Sequence, residues 1–133
     1  MQFKLLESPL FSKFRASWLY RRGILHARLS KNVLAVADYT SVIEMADAPA
    51  SIRTMALYNR ALVYCATSCG VQAVEDLQKV LEMPGASEQV RTEARRKLVR
   101  MQRSSNRADS SNPRDEAYPE GGVPEKNRPD SST

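Results

Sequence analysis

The sequence predicts an all-α fold, an antiparallel helix-turn-helix repeat stack of about two repeats plus a capping helix. Three observations lead there. The chain superimposes on itself after a shift of 38 residues, its apolar residues recur at helical spacing, and proline or glycine interrupts it where a repeat would end.

The self-overlap is dense. Arg15 falls on Arg53, Leu19 on Leu57, Tyr20 on Tyr58, Arg22 on Arg60, Ser30 on Ser68 and Val33 on Val71. The same shift lays Ala35 on Ala73, Val36 on Val74, Asp38 on Asp76, Val42 on Val80, Glu44 on Glu82, Met45 on Met83 and Ala48 on Ala86. Thirteen identities in one ungapped frame exceed what composition produces. A further shift carries Arg53 to Arg91 and Ala56 to Ala94, and the pattern ends near Arg103.

Helices are predicted near 10–29, 32–46, 51–67, 70–83 and 86–103. In the first, Phe14, Trp18, Leu25 and Leu29 share one apolar stripe, with Leu19, Gly23 and His26 beside it; Leu57, Ala61 and Tyr64 mark the stripe of the third. Ser30-Lys31-Asn32 and Ser68-Cys69-Gly70 are turns. The second helix of each pair has apolar residues at i, i+4, i+7 and i+8, namely Ala35, Tyr39, Val42 and Ile43, then Ala73, Leu77, Val80 and Leu81. Gly23, Ala35, Ala61 and Ala73 are small enough for paired helices to approach closely. Pro49 and Pro84-Gly85 end the second helices. Arg22 and Asp38, like Arg60 and Asp76, stand 16 residues apart, which predicts an ion pair inside each repeat.

Domain boundaries follow: a leader at 1–12, the repeat domain at 13–103 and a polar tail at 104–133. The tail has Asn112-Pro113, Tyr118-Pro119 and Gly121-Gly122 with almost no large apolar side chain, so it is expected to be disordered. Two repeats are few for a stable stack. Phe3, Leu5, Leu6, Leu10 and Phe11 could cover its open end, or meet a partner or a second copy, so self-association is a further expectation.

Tyr20-Arg21-Arg22-Gly23, the run from Ala35 to Glu44, and Tyr58-Asn59-Arg60-Ala61 resemble tetratricopeptide repeats over about residues 15 to 103. There are departures. Arg22 and Arg60 stand where a leucine is usual, and the segment from Ala46 to Ser51 stretches the usual 34-residue period. The resemblance implies a protein or peptide partner held in a groove lined by first helices. Carried over by position, the groove candidates are Ser17, Tyr20, Arg21, Ile24 and Arg28, then Met55, Tyr58, Asn59, Leu62 and Ala66, with Arg96, Lys97 and Arg100 closing the end. Of the family's clamp for a chaperone's C-terminal carboxylate, Asn59 and Lys97 match in type, whereas Tyr20 and Ile24 replace an expected lysine and asparagine.

Charge supplies a rival. Of the formal +5, residues 104–133 hold four basic and six acidic side chains, −2, which leaves +7 on residues 1–103. From Arg91 to Arg103 the last helix carries Arg91, Arg95, Arg96, Lys97, Arg100 and Arg103, with Glu93 the one acidic residue in that stretch, so it could meet nucleic acid or an acidic membrane surface. The absence of interleaved aromatics disfavours nucleic acid, and cations near a helix C-terminus are favoured by its dipole in any case.

Catalysis finds no support. His26 aligns with Tyr64 on the core side of its helix, and the chain has no phosphate loop, zinc spacing or nucleophile elbow, so no enzyme activity, cofactor or metal is expected. Cys65 and Cys69, four residues apart on one expected helical face, read as small packed residues. Lys4 and Glu7 interrupt any signal-like apolar run and no stretch suits a membrane span, which predicts a cytoplasmic protein.

Overall fold

The computed structural model describes residues 8–110, and among them the chain is helix and turn throughout. Five helices follow one another: α1 Pro9–Arg28, α2 Asn32–Glu44, α3 Ala50–Ala66, α4 Gly70–Glu82 and α5 Glu88–Ser110. Of the described residues, those up to Met101 belong to one compact unit, and Gln102 begins a second. Helix α1 pairs with α2 and α3 with α4, while α3 also packs against α2 and, less extensively, α1.

Local chemistry fixes the ends of these helices. Ser8 is the N-cap of α1 and its side chain accepts from the Phe11 N–H, while Pro9 fills the first turn, where a missing N–H costs nothing. At the other end Ser30 adopts a left-handed backbone (φ 58°), and the Lys31 N–H reaches His26 O at 2.8 Å. One repeat later Ser68 has φ 61°, and the Cys69 N–H reaches Tyr64 O at 2.9 Å. Both turns are six-to-one closures of the Schellman kind, with serine in the position glycine usually takes. The sequence repeat is therefore also a repeat of backbone geometry.

Two apolar clusters hold the unit together. Ala16, Leu19, Ala35, Tyr39, Val42, Ala48, Ala56 and Val63 form the first, which joins α1 and α2 to α3. Leu57, Ala61, Leu77, Val80 and Ala94 form the second, flanked by Val90, Leu98 and Met101 of α5. The predicted apolar positions of α2 and α4 are all buried or half-buried, and all but Ala73 belong to or pack against these clusters.

Helix α1 is rotated from the expected stripe. Phe14 is 70% and Trp18 52% exposed, and Leu25 and Leu29 lie outside as well. Ser12, Ala16, Leu19 and Gly23 face inward instead. Close approach selects the small side chains here: a Cβ on Gly23 would lie 2.7 Å from the Tyr39 ring. The leader boundary shifts too, because Pro9 to Ser12 belong to α1 and buried Ser12 donates to the Asp47 carboxylate. Residues 104–110, assigned to the tail, are helical and exposed, continuing α5 without apolar anchoring. The rest of that tail, and Phe3, Leu5 and Leu6, lie outside the described residues. Cys69 does not share a helical face with Cys65, since α3 ends at Ala66 and Cys69 is the N-cap residue of α4.

Candidate functional site

Where α1 and α3 lie side by side, an open groove of about 330 Å³ runs between them. Ile24, Ala27 and Arg28 form one wall, Asn59, Leu62, Val63 and Ala66 the other, with Asn32 and Tyr39 contributing from α2. Five of the predicted groove residues, Ile24, Arg28, Asn59, Leu62 and Ala66, therefore come together. Burial pushes the Tyr39 hydroxyl up to about 12, so this ring remains a neutral phenol at physiological pH.

Tyr20 links the walls rather than lining the groove. Its hydroxyl accepts from Asn59 Nδ2 at 2.7 Å, and its ring lies 6.2 Å from that of Tyr39. Burial raises its pKa and the Asn59 hydrogen bond partly offsets the rise. Tyr58 packs against the second cluster, and burial raises its pKa as well, with Glu93 adding to the effect and Arg100 opposing it. Tyr20 thus bridges the two repeats, and Tyr58 joins the second repeat to α5.

Other predicted residues go elsewhere. Arg21 and Ser17 line a separate trough with Leu10, Lys13, Phe14 and Trp18, because the rotation of α1 turns them away from α3. Met55 is exposed outside the groove. Arg96 pairs with Glu93 at 2.9 Å, and Arg95 with Glu88 at 3.2 Å, all well exposed. Such pairs are individually weak and leave the face of α5 basic. Cys65 Sγ lies 3.6 Å from Met101 Sδ, at the positions that Ala27 and Val63 occupy one repeat earlier.

Both predicted ion pairs form. Arg22 donates through Nε and Nη2 to Asp38 at 3.0 and 2.7 Å, and Arg60 grips Asp76 in the same fork at 2.7 Å twice. Asp38 is held below the ordinary carboxylate range by the Arg22 hydrogen bonds, against the opposing effect of burial. His26 Nδ1 stands 3.0 Å from the same carboxylate, and since an ionised Asp38 only accepts, this nitrogen carries the proton. His26 is thus tied to a structural ion pair, a contact that spacing alone did not suggest.

No helix among the described residues is long and apolar enough to cross a membrane. No family model, curated protein or solved structure matches the chain.

Proposed function

We propose that this chain is a protein-interaction module of the tetratricopeptide kind, which holds a peptide or a segment of a partner protein in the groove between α1 and α3. One observation supports the reading above others: Ile24, Arg28, Asn59, Leu62 and Ala66, from two consecutive first helices, line one continuous concave surface. The lining is apolar with amide and guanidinium groups at its edge, which suits a peptide with apolar side chains and acidic or carbonyl groups. Rigid paired helices present these groups in a fixed register, so little ordering cost falls on the protein side when the ligand binds. A cytoplasmic setting, where Cys65 and Cys69 stay reduced, agrees with this role.

The double variant Leu62→Glu, Ala66→Arg tests it, since both side chains lie at the groove and outside the two clusters. Wild type should enrich a related set of sequences from a displayed peptide library, and the folded variant should lose that enrichment. Enrichment that survives in the variant, or none in the wild type, would defeat the proposal.

A further inference from the structure

Contacts that α3 makes with the preceding hairpin have counterparts on α1 that face outward. Ala48, Ile52, Ala56 and Val63 pack in the first cluster; one repeat earlier the same positions are Leu10, Phe14, Trp18 and Leu25, all exposed. Arg53 donates to Ile43 O at 3.3 Å and Arg91 to Met83 O at 3.0 Å, each holding the end of the helix before it. Arg15, the equivalent residue, is exposed. Arg60 reaches back to Thr40 Oγ1 at 2.9 Å, whereas Arg22 lies over the Trp18 ring, 4.5 Å from its centroid.

We infer that this face of α1 docks an amphipathic helix of another protein, apolar along one side and acidic along its margins. Internal symmetry argues for a helix, because the equivalent face of α3 is covered by a helical hairpin. Charge argues for acidic margins. Residues 9–37 contain no Asp or Glu, and the charged side chains beside Leu10, Phe14 and Trp18 are Lys13 and Arg21, both cationic, whereas Arg22 is already met by Asp38 and Arg28 lines the other groove. The trough on this face, about 390 Å³, sets Leu10, Phe14 and Trp18 between Lys13 and Arg21. A second copy meeting the same face would bring Lys13 and Arg21 against their own counterparts, a like-charge arrangement that opposes pairing. Arg15 stands ready for the carbonyl end of a docked helix, where the helix dipole is negative.

Trp18 is the only tryptophan in the chain, so its emission reports occupancy directly. The probe is a designed peptide of about four helical turns with leucine at i, i+3, i+4 and i+7 and glutamate on both flanks. A saturable blue shift of Trp18 emission is expected, weakened about tenfold or more by Phe14→Glu. Leu25→Glu should weaken it likewise and stands in if Phe14→Glu loses helical circular dichroism. The groove variant Leu62→Glu, Ala66→Arg should leave the shift intact, which separates this surface from the groove. Equal binding of a lysine-flanked peptide, or no shift with either peptide, overturns the inference. So does a shift produced only by phosphatidylglycerol vesicles, which assigns the face to a membrane. A shift that grows with protein concentration alone, with a dimer in sedimentation, assigns it to a second copy and overturns it equally.

Discussion

Where the first helix of each hairpin crosses the second, the first repeat sets Gly23 against Tyr39, and the equivalent residues of the second, Ala61 and Leu77, are both buried in the second cluster. A smaller residue on one helix accompanies a larger ring on the other, so the crossing keeps its place while its side chains change. The same exchange occurs at the loop. Ser12 meets Asp47 through a hydrogen bond in the first repeat, and at the equivalent positions Ala50 lies so close to Gly85 that a Cβ there would collide. What the backbone geometry conserves is the crossing, and each repeat satisfies it by its own chemistry.

The ion pairs differ in surroundings rather than in form. Arg60 is 14% exposed and bonded to Thr40 of the preceding repeat, whereas Arg22 is 41% exposed and rests on Trp18. Removing the acid from the second pair leaves a largely buried guanidinium, so Asp76→Asn should cost about 3 kcal/mol in denaturant unfolding. Asp38→Asn should cost distinctly less, because water reaches Arg22. Equal losses would break the contrast. The first pair also has a pH signature: Asp38 has a depressed folded-state pKa, so its stabilisation is complete above the ordinary carboxylate value near about 4 and fades as pH falls through the lowered value. Asp38→Asn should flatten that acid limb.

The crossing itself can be tested by moving one repeat's solution into the other. Gly23→Ala should destabilise by about 2 kcal/mol through overpacking against Tyr39, despite alanine's better helix propensity. Adding Tyr39→Leu recreates the second repeat's pairing and should recover most of the loss. A purely additive double variant would mean that the two crossings are not equivalent.

Much of this was legible in the sequence because identity at a fixed shift reports geometry, not mere hydrophobicity. Arg22 with Asp38 and Arg60 with Asp76 recur together, and both pairs form. The face of α1 was misread for a related reason. Phe14, Trp18, Leu25 and Leu29 have the period of a buried stripe, yet the shift itself lays Phe14 on Ile52 and Trp18 on Ala56, which belong to the surface between repeats. That displacement carried Arg21 and Ser17 out of the groove. The Tyr20 to Asn59 hydrogen bond left no trace in the repeat, since Asn59 aligns with Arg21 and Lys97, and only the packing of α1 against α3 brings the pair together. The extension of α5 to Ser110 was equally hidden, because its exposed polar residues have no apolar period to read.

The smallest expected effect lies in the two turns. Ser30 and Ser68 both hold a left-handed conformation, which disfavours any residue with a Cβ by roughly 1 kcal/mol. Glycine removes that penalty but gains freedom in the unfolded chain, so each of Ser30→Gly and Ser68→Gly should add only about 0.5 kcal/mol. Both turns share the same closure and their serines are exposed, so the two gains should match within the error of thermal unfolding. A gain at Ser68 alone would show that the first turn carries an additional constraint absent from the second, and the place to look for it is the His26 carbonyl that the Lys31 N–H holds, on the same residue whose ring is bound to Asp38.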